Sequence, residues 1–347
     1  MTTLSEPTLL SVASRPGAVP GRSWRRPAGA LASYLLTVFL LVTLNFFIPR
    51  AMPGNPIDGL LAQGPGGFVF GEQARAKLEE YYNLDGSLLA QYGEYLARLV
   101  RGDFGHSIVT NTPVIDEITR RLPWTLLLVG GSMVLATVVG LVLGVHSGWR
   151  RNRRTDRALM TSLLALREFP TFLMASLLLF VFGVKLRWLP SFGAETPFSS
   201  SFGLVQRIVD IAQHAVLPVA VLTIGLTVGN YLMMRAGMVN ELGSDYLLLG
   251  RAKGLEERRL KYRYAARNAL LTVVSLTALQ LGFVITGDVL IERVFSYPGL
   301  GGLLFGSIAT RDYPVIQGAF VLISVTVVTV NALTDVLYRR LDPRTAP

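Results

Sequence analysis

Six long apolar runs constrain this chain more than any other feature. They are PAGALASYLLTVFLLVTLNFFIP (27–49), LPWTLLLVGGSMVLATVVGLVLGV (122–145), FPTFLMASLLLFVFGV (169–184), AVLPVAVLTIGLTVGNYLMM (215–234), ALLTVVSLTALQLGFVITG (269–287) and YPVIQGAFVLISVTVVTVNAL (313–333). A hydrocarbon core about 30 Å thick is crossed by about 20 helical residues. Five runs reach that length unaided, and the third does with a few flanking residues. Lipid offers no partner to backbone amides and carbonyls, so runs of this kind form helices. The expected fold class is an all-α membrane protein with six transmembrane helices.

Composition supports this. Hydrophobic residues make up 51% of the 347 and charged ones 16%, against about 25% charged in a typical soluble domain. Cysteine is absent, which excludes disulfides, thiolate metal sites and thiol nucleophiles. The first run follows a long basic lead, exceeds a signal-peptide core and has no small-x-small site after it, so it is expected to stay as a span.

Charge sets the expected topology. With the N-terminus cytoplasmic, one side holds 1–26, 146–157, 235–268 and 334–347, with 20 of the 33 Lys and Arg. The other side holds 50–121, 185–214 and 288–312, with 12. The positive-inside rule therefore places both termini in the cytoplasm. The net charge of +10 is topological, which argues against nucleic acid as a partner and leaves lipid as the surrounding medium.

The expected organisation is a flexible tail (1–26), a first span (27–49), an extracytoplasmic insertion (51–121) and a five-helix core (122–347) that contains a cytoplasmic loop (237–268). In the insertion, EQARAKLEEYY and SLLAQYGEYLARLV read as helical. GPGGFVFG lacks the Lys-Ser/Thr pair of a phosphate loop, and no Gly-Lys dipeptide occurs in the chain, so it has no Walker A sequence. His106, His146 and His214 are separated by the topology, and a metal site is not expected. No Ser–His–Asp set falls in one compartment, so no catalytic residue is assigned. Arg167 and Glu168 are placed at the inner interface, with Pro170 at an early helical position or a mild kink. Asp288 and Glu292 are placed at the outer end of the fifth span. No buried proton or sodium relay is then left, and energy must come from outside the chain.

The cytoplasmic loop is too patterned for a simple basic turn. Arg251–Arg267 carries seven basic and two acidic side chains. Ser244 or Asp245 can cap a helix through Tyr246–Lys253, and Gly254 can end it in a left-handed conformation. A second helix from about Glu256 would run into the fifth span. Glu257 with Lys261, and Glu256 with Arg259, fall at helical ion-pair spacing. Leu242, Tyr246 and Leu249 share one expected face. Gly250 should loosen the first helix by about 1 kcal/mol against Ala. Two short helices broken at a glycine make a stiff knuckle.

Asp245-Tyr246, Arg251-Ala252-Lys253-Gly254-Leu255, Glu257-Arg258-Arg259 and Arg267-Asn268-Ala269-Leu270 resemble the glycine-centred "EAA" loop of peptide-type (dipeptide and oligopeptide) ABC importer permeases. Arg267 stands where the wider ABC pattern has proline, and Leu248-Leu249-Gly250 departs from the usual Thr-Ala or Ala-Ala. The resemblance extends to Met52-Pro53-Gly54-Asn55-Pro56, Arg101-Gly102-Asp103-Phe104-Gly105, Trp188-Leu189-Pro190, Val294–Gly301, Arg311-Asp312-Tyr313-Pro314 and Leu341-Asp342-Pro343-Arg344. It covers nearly everything from the first span to the C-terminus.

The resemblance implies a type I importer permease in a bacterial or archaeal cytoplasmic membrane. Its implied partners are a second homologous permease, two cytoplasmic ATPases and an extracytoplasmic solute-binding protein. ATP and Mg would be bound by the ATPases, and this chain would hold no cofactor. ATPase coupling is implied for Tyr246, Arg251, Ala252, Lys253, Gly254, Leu255 and Arg259. Phe295, Tyr297, Pro298, Gly299 and Leu300 are implied near the outer gate and binding-protein side, with a structural turn as the alternative. As polar mid-span residues, Asn230, Gln280 and Thr286 are candidates for the pathway, with helix–helix hydrogen bonding as the other reading. The expected substrate is a di- or oligopeptide; nickel, haem or another small solute is the alternative. An independent secondary transporter or channel would need coupling charges or an inverted repeat, and a mere membrane anchor would need no stiff knuckle.

Overall fold

The computed structural model describes residues 27–51, 86–270, 273 and 288–341. The N-terminal tail, the Met52–Pro56 motif, most of the fifth apolar run with Gln280 and Thr286, and the tail beyond Leu341 lie outside the described residues. Within them the backbone is helical, with one isolated bridge between His106 and Pro113 and no strand.

The helices are α1 (Pro27–Ala51), α2 (Leu88–Val100), α3 (Val114–Trp149, with a wide π-type turn at Leu126–Gly130) and α4 (Arg154–Arg167). They continue with α5 (Thr171–Lys185), α6 (Leu204–Glu241), α7 (Asp245–Ala252) and α8 (Glu257–Arg259). After a wide turn at Leu260–Ala265, α8 leads into helical backbone at 266–270. The last are α9 (Val289–Val294), α10 (Leu300–Thr310) and α11 (Tyr313–Leu341). The helix expected at SLLAQYGEYLARLV is α2, and Ser87 Oγ accepts the Ala90 amide at its start.

Among the described residues four helices are long and apolar enough to cross a membrane: α1, α3, α6 and α11. The third apolar run differs from expectation. Helices α4 and α5 meet at 92°, so the residues flanking α5 cannot lengthen it in a straight line. Pro170 is the cause: it lacks an amide proton, disfavours helical backbone at Phe169 and caps α5 with ψ 128. It produces a sharp corner rather than a mild kink. Counting the bent pair as one span gives five among the described residues.

Contacts set the relative directions. Tyr34 Oη lies 2.8 Å from Thr329 Oγ1, and Asn45 Nδ2 donates to Gln317 O at 2.7 Å. Rising numbers in α1 meet falling numbers in α11, so the pair is antiparallel. The start of α1 and the end of α11 therefore share one end of the molecule. Helices α3 and α6 run parallel, and glycines let them touch. A Cβ on Gly140, Gly144 or Gly148 would come within 2.7, 2.6 or 2.5 Å of the Cβ of Asn230, Met234 or Met238. Such stripes of small residues allow close backbone approach where lipid supplies no hydrophobic drive between helices.

Candidate functional site

The glycine-centred loop folds as an elbow. Ser244 occupies the N-cap of α7 with extended backbone, and Asp245 places a carboxylate in the first turn, where the helix dipole favours it. At the far end Gly254 has φ +73. Its amide donates to Arg251 O at 2.9 Å, and the Leu255 amide reaches back to Gly250 O at 3.1 Å. These two bonds make a Schellman motif, which requires a left-handed residue at position 254. The expected helix and its glycine stop are both present.

Gly250 departs from the expectation. It does not merely loosen α7, because a Cβ there would sit 2.5 Å from Leu260 Cδ2. The glycine lets the second arm of the elbow lie directly against the first. The buried face also differs: Leu247 and Gly250 are inside, whereas Leu248 and Leu249 are 67% and 56% exposed. Leu249 does not share an inward face with Tyr246. Glu257 pairs with Arg251 across the elbow at 3.0 Å instead of with Lys261 along its own helix. The π-type turn that begins at Leu260 changes the register, and Lys261 is buried with its amine 4.7 Å from the Tyr262 ring centroid.

Leu247, Leu260, Ala265 and Ala269 pack with Val145 of α3 and with Met234 and Met238 of α6. Tyr246 donates to Glu241 at the end of α6 and is half-buried; burial and this carboxylate push its hydroxyl up to about 12, so it remains a donor. Among the residues assigned to coupling, Arg251, Ala252, Lys253, Gly254 and Arg259 are exposed, and Leu255 is half-buried against the core. The exposed tip is thus joined to α3 and α6 through a packed inner face.

A second anchor was not foreseen from the sequence. Asp156 of α4 is buried and bidentate to Arg235 of α6, at 2.7 and 2.8 Å. It also accepts from Ser147 Oγ of α3 and from the Asn152 amide, and Ser147 Oγ lies 2.7 Å from Tyr231 Oη. The Arg235 guanidinium and these donors hold the Asp156 carboxyl far below the usual range. In the sequence, its place within RRNRRTDR hides it among cations.

At the other end, Phe295, Tyr297, Gly299 and Leu300 are buried and Pro298 is half-buried. They form a turn around Glu292, which is 1% exposed. Glu292 accepts from Thr125 Oγ1 of α3 at 2.9 Å and from the Gly302 amide at 2.7 Å. Thr125 Oγ1 in turn accepts the Leu300 amide at 2.7 Å. A Cβ on Gly299 would lie 2.2 Å from the Glu292 carboxylate, so the Pro-Gly-Leu-Gly sequence is shaped by that carboxylate. Burial raises the Glu292 carboxyl above its ordinary value. The sequence reading put Glu292 at the end of a span; its burial comes from α3 and α10, which sequence spacing does not reveal.

Asn230 is buried between α6 and α3, with Nδ2 3.3 Å from Thr137 Oγ1. Its position against Gly140 is that of a helix–helix contact. Among the described residues no group of three or more His, Cys, Asp or Glu could hold a metal ion.

Residues 136–347 match the family described as binding-protein-dependent transport system inner membrane component. The chain belongs to this family. It is similar to the glutathione transport system permease protein GsiC of Escherichia coli strain K12, at 36% identity over 315 residues, which is 90% of this chain and 96% of the relative. The same protein from Shigella dysenteriae serotype 1 matches with the same identity and coverage. This permease is thus a multi-pass inner-membrane subunit of an ABC importer, a membership that implies ATPase and substrate-binding partners.

Proposed function

We propose that this permease forms half of the pathway of an importer for short peptides, paired with a second homologous permease and driven by two ATPases that dock on the 237–268 elbow. Six spans, with both termini cytoplasmic, place the elbow on the ATPase side and the Glu292 turn on the binding-protein side. The substrate class is supported by the relatives' printed role in glutathione transport, glutathione being a short peptide.

The observation that carries this reading is the mechanical continuity of the elbow. Its tip is exposed, its hinge is closed by the Gly254 Schellman bonds, and its inner face is packed on two spans. The exposed Leu248-Leu249 pair offers apolar contact to a docking groove, and Arg251, Lys253 and Arg259 offer charge. ATP closure in the partners would push this tip and rock α3 and α6, while the Phe295–Leu300 turn, held to α3 through Thr125, would follow at the far end. Selection among solutes rests largely with the binding protein.

Gly254→Arg tests the reading in a reconstituted transporter. The variant is expected to insert and purify normally, to lose copurifying ATPase and to abolish ATP-dependent uptake of a radiolabelled dipeptide. Normal uptake by this variant would overturn the coupling assignment.

A further inference from the structure

A cavity of about 770 Å³ opens beside the elbow, between the turn after α3 and the second arm of the loop. Its charged lining is one-sided: Arg150, Arg153, Arg251, Arg258 and Lys261 face the single carboxylate of Glu257. Glu257 is already taken by Arg251 at 3.0 Å. Lys261 is only 8% exposed, and among the described residues no carboxylate lies within ion-pair distance of its amine. Lys261 lines the chamber beside four arginines, a concentration of positive charge that favours an anionic ligand. Trp149 and Tyr262 complete the wall, and both ring types favour the membrane–water interface.

The cavity does not stand alone. Tyr262 also lines a second groove of about 430 Å³, whose other walls are largely apolar (Leu141, Val142 and Val145 of α3, Met234 of α6, Ala266 and Leu270), with Arg263 and Arg267 also lining it. A basic chamber thus shares Tyr262 with a largely apolar groove along two spans.

We propose that the two together hold one anionic phospholipid, its phosphate headgroup in the basic chamber and an acyl chain in the apolar groove. A free phosphate would satisfy the chamber but leave the groove unexplained, and a zwitterionic lipid would bring a choline group against five cations. Basic pockets between spans are a recurrent setting for anionic headgroups. Assigning the lipid to the cytoplasmic leaflet rests on the proposed topology, whereas its binding does not. The bound headgroup would bridge the α3 turn to the elbow and stiffen the joint through which force enters.

The test uses the purified full-length chain in detergent, without ATPase, titrated with dioleoylphosphatidylglycerol, with dioleoylphosphatidylcholine or with inorganic phosphate, and read by native mass spectrometry. One phosphatidylglycerol per chain should be retained, at concentrations where phosphatidylcholine and inorganic phosphate are not. Arg150 and Arg153 are exposed, so an Arg150→Gln/Arg153→Gln variant should fold normally. It should weaken phosphatidylglycerol retention about twenty-five-fold, from roughly fivefold per basic side chain removed at an anionic surface. Lys261→Gln should weaken it as well, and Val142→Trp should do so by filling the groove. Equal retention of phosphatidylcholine, undiminished retention by the arginine variant, or phosphate binding as tightly as the lipid would each overturn the proposal. Failure here would leave the coupling assignment intact, because that reading is tested by uptake in the Gly254→Arg variant.

Discussion

Gly250 and Gly254 stand four residues apart and serve different ends. Gly254 has open space around it and is needed for its positive φ, whereas Gly250 has ordinary helical backbone and is needed for the proximity of Leu260. Gly254→Ala should therefore cost about 1–2 kcal/mol, the usual penalty of a left-handed L-residue. Gly250→Val should cost about 1–3 kcal/mol through overpacking. Thermal unfolding midpoints of the purified chain, with local protection of 245–270 by hydrogen exchange, would check both. An unchanged midpoint for Gly250→Val would mean that the two arms are not in close contact.

Glu292 predicts a pH dependence at the same scale. Its folded pKa is raised, so the folded state holds this proton more tightly than the unfolded chain does. Its contribution is complete below the unfolded carboxylate value and is lost as pH rises through the folded one. Asp156 has the opposite sign: its depressed value gives stability that is present above the unfolded carboxylate value and lost only in acid. Above the ordinary carboxylate range Asp156 is therefore flat, whereas the Glu292 contribution declines until its raised folded value is passed. Melting midpoints should fall as pH rises above that range in the parent and stay level in Glu292→Gln. A parallel decline in the variant would remove Glu292 as the cause.

Among elements, the α3–α6 contact is the spine of the described structure. Its glycines bring the two backbones together, and Ser147, Asp156 and Arg235 lock their ends to α4. Gly144→Leu should be severely destabilising, since even its Cβ would meet Met234 Cβ at 2.6 Å and Tyr231 O at 2.9 Å. Gly131→Ala on the same helix meets nothing within 4 Å and should be near neutral. Asp156→Ala strands a partly buried guanidinium and should cost about 3–5 kcal/mol, the range for breaking a buried pair. Yield and unfolding midpoint of the three variants give the comparison, and a mild Asp156→Ala would show that α4 is held by packing alone.

For the whole molecule, the chain contains no cysteine, which makes accessibility labelling direct. Leu249→Cys in the exposed elbow should react with an impermeant maleimide in inside-out vesicles and not in right-side-out ones. Arg293→Cys, exposed beside the Glu292 turn, should show the reverse. Reaction of Leu249→Cys from the outer face would invert the topology and end the coupling reading. The antiparallel α1–α11 pair and the parallel α3–α6 pair are what an alternating order of spans requires, whichever face is cytoplasmic.

Local patterning alone decided the helical class, the sites of four long spans, the first helix of the elbow and its left-handed glycine stop. All of these follow from hydropathy period and backbone preference, which act within a few residues. The close contact that makes Gly250 necessary, the Asp156–Arg235 lock and the carboxylate inside the Phe295–Leu300 turn belong to the tertiary structure. Each depends on which distant segment arrives next to it. Glu257 shows the difference most directly: its sequence spacing pointed to Lys261, but the folding back of the elbow brought Arg251 closer and left Lys261 lining a basic cavity. A charge on a chain announces its sign locally; its partner is chosen only when the helices pack.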